Sequence, residues 1–438
     1  MSQATPVDAA SPYAALFAGD EEGALRSAMA ALSAEPLDLA SLALLARVLG
    51  ERGRRDAAAA AHKRVVTQLI NRGDLPGATA AALDAQAAGE AGAGEAFEKI
   101  AQAFGKGSKR IADVSPSPPP LPTRKTIAPD VMKASGDALL DQAEEALLNA
   151  ADAPDPVAAG KVPELPLFSA LTPPALRELL EAFELRDVTR GEEVIAQHEE
   201  GTEAYVVVRG LLEVARTEDG ETLALAHLGP GAIFGEMALV SDAPRAALVR
   251  ALETSQLLCV RRETLEALAA TTPAIGEQLG EFCRARMLAN LVRSSAILSA
   301  VGPEERNQII DLFGTRSFDR GETLVTEGDE AAGLFLIASG GVSVIGKDGD
   351  GDDIVLAELG PGDVVGEISL VLRRPATATV VAAHPTIALE LTRDRFQAAI
   401  RQHPMLLTEL YDVAVKREEE TRSVVAQEAL DVSDVVLI

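Results

Sequence analysis

Residues 167–195, LFSALTPPALRELLEAFELRDVTRGEEVI, realign with residues 297–325, ILSAVGPEERNQIIDLFGTRSFDRGETLV, at a shift of 130. The match continues through two apolar runs turned at glycine, residues 204–214 and 333–344, each reading as a strand pair. Beyond them the shift becomes 131, because IGKDGDGDD (345–353) after the second run is one residue longer than ARTEDGET (215–222) after the first. LGPGAIFGEMALV then lies over LGPGDVVGEISLV. A repeat of about 130 residues is far longer than a solenoid unit, so it denotes two complete domains and not a stacked array.

Each copy opens with a helix and continues with short apolar strands separated by Gly-containing turns about ten residues apart, which predicts a small β-barrel or jelly roll. Each copy ends in helix, Arg262 to Arg293 after the first and Phe396 to about Glu428 after the second.

In the first copy Phe234-Gly235-Glu236-Met237-Ala238-Leu239 is followed, after a short loop, by Pro244-Arg245-Ala246-Ala247. This pattern resembles the phosphate-binding cassette of the cyclic-nucleotide-binding domain family, and the resemblance covers roughly residues 165–405 in two copies. It implies that Glu236 anchors the ribose and Arg245 the phosphate. The chemistry agrees. A carboxylate accepts from a ribose 2′-hydroxyl but repels a phosphate, whereas a guanidinium offers a planar fork to exocyclic phosphate oxygens. A short helix opening near Gly235 would aim free backbone N–H groups at the anion. Phe234, Met237 and Ala238 complete the expected cassette, and Ala246 tilts it toward cAMP, because cGMP-preferring members tend to carry a hydroxyl residue there. Phe282 and Met287, on the helix after the first barrel, are apolar lid candidates for which core packing is the plainer role.

The second copy departs from the pattern. Gly366, Glu367 and Ile368 align with Gly235, Glu236 and Met237, but Pro375-Ala376-Thr377-Ala378 replaces Pro244-Arg245-Ala246-Ala247. An alanine stands where the phosphate arginine belongs, so this site reads as degenerate, and arginine at 376 alone is expected to reopen it. Arg373 and Arg374 lie three and two residues earlier; as a solvated loop pair they would miss the fork geometry.

Other chemistry finds no support. Asp348, Asp350 and Asp352 alternate like the start of an EF-hand loop, yet Asp353 takes the turn glycine's place and Leu359 the bidentate glutamate's. The histidines sit in no H-E-x-x-H context, and no G-x-S-x-G, P-loop or kinase signature is present. No metal site, cofactor or catalytic set is expected, so the chain reads as a non-enzyme. The formal net charge of −27, from 67 acidic against 40 basic residues, disfavours a nucleic-acid backbone or an anionic membrane as partner. Two cysteines, Cys259 and Cys283, make no disulfide framework. With no export signal or apolar span, a cytoplasmic protein is expected.

Ahead of the repeat, residues 1–105 are rich in Ala and Leu at helical spacing, and Pro36 to Val66 resembles one tetratricopeptide-type helix pair without its aromatic positions. Residues 106–164 form a Pro-rich linker and one amphipathic helix. Pro119 to Arg124 fits PxxPxR, and Arg124 to Thr126 invites a phosphoacceptor reading, but a plain spacer accounts for both.

The expected architecture is thus multidomain α plus β: an α-helical interaction module (1–105), the linker, cyclic-nucleotide-binding domain one (165–293), domain two with the degenerate site (294–405), and a C-terminal helix with an acidic tail (406–438). The expected function is a cAMP sensor that acts on a protein partner, reached through the N-terminal helices, by repacking helices. A transcription regulator would need a helix-turn-helix after the second barrel, where only a short acidic segment follows His403. A protein-kinase regulatory subunit fits the tandem sensors behind a basic linker, but that linker lacks an Arg-Arg-x-Ser/Thr stretch. A ligand-free scaffold is the remaining alternative.

Overall fold

The computed structural model describes residues 12–35, 37–114, 133–152, 160–218, 221–295, 298, 302, 308–347 and 351–435. The PxxPxR motif, the Arg124–Thr126 run and the residues Asp348 and Asp350 lie outside them. By internal contacts the chain divides into residues 1–198, 202–236 and 247–282 as one unit, and 199–201, 237–246 and 283–438 as the other.

The first unit begins with helices α1 (Pro12–Phe17), α2 (Glu21–Ala34), α3 (Leu39–Glu51), α4 (Arg55–Arg72), α5 (Leu75–Ala87) and α6 (Ala93–Phe104). Their starts are set by aspartates: Asp20, Asp38 and Asp74 accept from the N–H groups of Gly23, Ser41 and Gly77, which satisfies donors that the first helical turn leaves orphaned. Ala and Leu fill the interior, with Leu42, Leu44, Leu45, Leu49, Ala58 and Ala61 fully buried. A helix pair is present at Leu39–Glu51 and Arg55–Arg72.

Two short strands, β1 (Ile111–Ala112) and β2 (Val162–Pro163), pair in parallel. Between them α7 (Gly136–Ala151) buries Leu139, Ala143, Leu147 and Ala150, an i, i+4, i+8, i+11 stripe, and packs against α2, α3 and α4. Arg54 donates to Asp141 and Glu144, each at 2.6 Å. After α8 (Pro173–Glu181) come β3 (Glu184–Val188), β4 (Glu193–Ile195), β5 (Glu203–Arg209), β6 (Leu212–Glu218), β7 (Glu221–Leu228), β8 (Ile233–Phe234), β9 (Leu248–Ala251) and β10 (Ser255–Arg261), followed by α9 (Arg262–Thr271) and α10 (Pro273–Ser294).

These strands form two antiparallel four-stranded sheets, in orders β3-β10-β5-β8 and β4-β9-β6-β7. Their inner faces contribute Val188, Tyr205, Val207, Phe234, Val249 and Leu257 to one apolar core. Helices α3 and α5 meet this domain through charge. Arg47 forks onto Asp187 of β3 at 3.2 and 2.6 Å and lies 3.8 Å from Asp84, and the Arg209 guanidinium covers the Tyr13 ring at 3.9 Å.

The second unit repeats the plan with β11 (Gly314–Phe318), β12 (Thr323–Val325), β13 (Gly333–Ser339), β14 (Val342–Lys347), β15 (Asp353–Leu359), β16 (Val364–Val365), α11 (Glu367–Val371), β17 (Thr379–Ala382) and β18 (Thr386–Thr392), then α12 (Arg393–Gln402) and α13 (Pro404–Val435). Its sheets run β11-β18-β13-β16 and β12-β17-β14-β15, the orders of the first domain. The strand starts are offset by 130 from β3 and β11 through β6 and β14, and by 131 from β8 and β16 onward. The extra residue therefore falls in the hairpin between β14 and β15, as the aligned sequences require. The register irregularities also recur, between Gln256 and Leu257 in one copy and between Ile337 and Ser339 in the other, so even the bulges are duplicated.

Candidate functional site

The first cassette starts at the end of β8. Phe234 pairs with Tyr205 across the sheet and its ring stacks on the tyrosine at 5.1 Å, so this side chain anchors the cassette to the barrel core. Gly235 then takes φ +73°, a left-handed conformation that a side chain would strain. It turns the chain into a 3-10 turn, Glu236–Leu239. Glu236 is 5% exposed and Ala238 is buried as well. Met237 packs against the apolar cluster that contains Met287, Leu291 and Leu370, which places Met287 in the core, and Ala246 is exposed.

Arg245 arrives on a loop that is clasped to a preceding turn: its backbone N–H donates to the Glu199 carbonyl at 2.9 Å. Its half-buried guanidinium lies against Gly201, where a Cβ would fall 2.7 Å from the arginine Cζ. Gly201 thus makes the space that the guanidinium occupies.

The second cassette keeps this backbone and changes what it carries. Gly366 takes φ +86°, and a Cβ there would meet the Gly333 carbonyl oxygen at 2.5 Å. The clasp is preserved, with the Ala376 N–H donating to Asp329 at 2.8 Å. Ala376 stands in the place of Arg245, and Ala331 in the place of Gly201. Both are buried in the second barrel's core beside Phe335, Ile337 and Val380; Ala376 brings no guanidinium, and Ala331 carries a Cβ where Gly201 leaves room for one. Arg373 and Arg374 are exposed, and Arg374 forks onto Glu418 of α13 at 2.8 and 3.4 Å.

A cavity of about 130 Å³ is lined by Gly366, Glu367, Ile368, Ser369, Ala376, Thr377 and the apolar side chains of β14 and β15. Arg417 of α13 also lines it. Its guanidinium donates to the Val364 carbonyl, to Glu367 at 3.1 Å and to Asp363 at 3.3 Å. Glu367 is 3% exposed, and burial pushes its carboxyl above the ordinary range while Arg417 pulls it back.

Gly201, Ala331 and Arg417 escaped the sequence reading. The repeat itself held a signal for the first two: at the 130 offset, glycine pairs with the arginine and alanine with the alanine. Arg417 lies 50 residues beyond Glu367 in the chain, with no local pattern to mark it. Among the described residues no group of histidine, cysteine, aspartate and glutamate could hold a metal ion, and no helix is long and apolar enough to cross a membrane.

The Cyclic nucleotide-binding domain family profile matches residues 185–272 and 315–403. Among curated proteins the chain is 31% identical to the cAMP-dependent protein kinase type II regulatory subunit of Drosophila melanogaster over 223 residues, 51% of this chain and 56% of that protein. It is 32% identical to the cAMP-dependent protein kinase regulatory subunit of Yarrowia lipolytica over 231 residues, 53% of this chain and 58% of that protein. The chain therefore spans little more than half the length of these relatives. Among solved structures it is similar to the regulatory domain of Toxoplasma gondii PKA crystallised with cAMP, with 26% identity, 58% of this chain and 92% of that chain covered, and a TM-score of 0.27. Residues 185–272 and 315–403, built on the same two-sheet plan and each carrying a Gly-Glu cassette, are two tandem cyclic nucleotide-binding domains.

Proposed function

We propose that this chain is a non-enzymatic cAMP sensor in which the first domain binds the nucleotide and the second does not. The observation that carries this reading is the contrast between the cassettes: Gly201 gives the Arg245 guanidinium its place, whereas in the second cassette Ala376 brings no guanidinium and Ala331 carries a Cβ where Gly201 has none. Glu236 takes the ribose 2′-hydroxyl. Arg245 and the backbone N–H groups of the cassette turn take the phosphate, and Phe234, Gly235, Met237 and Ala238 shape the turn. With Ala246 after the arginine, adenine is preferred over guanine.

Binding regulates a protein partner by changing how the flanking helices pack, and it does so only to the extent that cAMP binds one arrangement more tightly than the other. The partner engages the N-terminal helices, and the protein works in the cytoplasm. A protein-kinase catalytic subunit is the favoured class of partner, because the curated relatives above are kinase regulatory subunits. Calorimetric titration with cAMP and with cGMP tests the sensor reading: cAMP should bind more tightly, and heat from neither would leave the ligand-free scaffold. A kinase catalytic subunit that the chain inhibits, and that cAMP releases, would establish the partner class.

A further inference from the structure

Consecutive residues of α13 hold the second cassette at both ends. Arg417 takes the opening of the cassette through Asp363, the Val364 carbonyl and Glu367. Glu418 takes its far end through Arg374 at 2.8 Å. The two pairs run in opposite senses of charge, so the helix docks in one register only. The burial is on one partner of each pair, since the Arg374 and Asp363 side chains stay 50% and 46% exposed. The Glu367 side chain is 3% exposed and the Glu418 side chain 15%, while Arg417 keeps 21% of its side chain exposed. Leu406 and Leu410 of the same helix are buried in the apolar cluster with Leu370 of α11, and Val413 packs against it, which seats the helix from which the two charges project.

We propose that the second cassette is a receptor for the chain's own C-terminal helix, with Arg417 occupying the carboxylate that a sugar hydroxyl would otherwise take. The domain is then closed to cyclic nucleotide by two separate features. One is the loss of the arginine at Ala376, with the Ala331 Cβ standing where its guanidinium would lie; the other is a resident guanidinium on Glu367. Arginine at position 376 alone is insufficient to reopen it, because its side chain meets Ala331 and the sugar carboxylate remains engaged.

Hydrogen exchange on the full chain tests the docking without reference to any nucleotide. Arg417→Gln keeps the aliphatic stem and removes the charge. Exchange at residues 363–372 and 406–418 should rise together, roughly ten- to a hundredfold, while the second barrel's strands hold their protection. Should this variant unfold, Glu418→Gln reads the same two segments from the other end of the clamp. Unchanged exchange in both segments in the folded variant overturns the proposal.

The closure is tested by cAMP stoichiometry, and this arm alone rests on the proposed function. Ala331→Gly with Ala376→Arg should still bind one ligand per chain, and adding Arg417→Gln should raise the number to two. Two sites before the third substitution, or one after it, overturn the closing role of Arg417. A wild-type chain that binds no cAMP would sink the sensor reading and leave the exchange result standing.

Discussion

Gly201→Ala isolates the positioning of the phosphate anchor from the anchor itself. A Cβ at residue 201 would fall 2.7 Å from the Arg245 Cζ, a contact that real structures do not tolerate, so something must move. The clashing atoms belong to the far end of a flexible side chain, and the glycine does not sit in the left-handed region. The fold is therefore expected to lose little, within about 0.5 kcal/mol, as for substitutions outside the core. The guanidinium, however, has to leave the position from which it addresses the phosphate. Arg245→Ala sets the ceiling: a hydrogen bond to a charged group contributes roughly 1.5 to 3 kcal/mol, or about ten- to a hundredfold in affinity. Gly201→Ala should fall inside that range while Arg245→Ala reaches its top. Calorimetric affinities for cAMP, read beside urea unfolding midpoints, separate the two effects. Unchanged affinity in Gly201→Ala, with Arg245→Ala strongly impaired, would show that the arginine binds from somewhere other than the space this glycine makes.

Two further outcomes follow from particular groups. Glu236→Ala should weaken cAMP by about tenfold but leave 2′-deoxy-cAMP nearly unaffected, since a carboxylate on the 2′-hydroxyl has nothing to accept from the deoxy analogue; equal losses for both ligands would remove the ribose role. Asp84, faced by Arg47, His62, Arg209 and Asp187, has its carboxyl pushed by burial from the ordinary 3.8 up to about 6. The folded state then holds this proton more tightly than the unfolded chain. The corresponding stability is present in full below about pH 4 and is lost as pH rises through about 6. Urea midpoints of the first unit measured from pH 4 to 7 should carry this slope, and Asp84→Asn should flatten it; an unaltered slope in the variant would contradict the assignment.

The duplication was legible because a jelly-roll strand announces itself locally. Val-rich runs such as residues 205–208 and glycine-bearing turns recur at the same offsets, so an insertion of one residue could be placed in the correct hairpin before any coordinates. The Gly-Glu starts of both cassettes were legible for the same reason, since the glycine is demanded by backbone geometry at that residue. What stayed hidden depends on contacts between residues distant in sequence. Gly201 owes its meaning to a side chain 44 residues later, and Asp187 reads as an ordinary exposed strand residue until Arg47 forks onto it from 140 residues away. Helix α7 reads as part of a linker, yet its Leu139 and Leu147 are buried against helices that precede the linker. Arg417 sits in a helix dense with charges, and only its partners distinguish it from its neighbours.

The most direct measurement of the central claim is the number of cAMP molecules bound by the intact wild-type chain at saturation. One binding-competent cassette and one closed cassette predict about one cAMP per chain, with that binding abolished or strongly weakened by Arg245→Ala and untouched by Glu367→Gln. Two equivalent sites, or a single site that survives Arg245→Ala and is lost with Glu367→Gln, would contradict it.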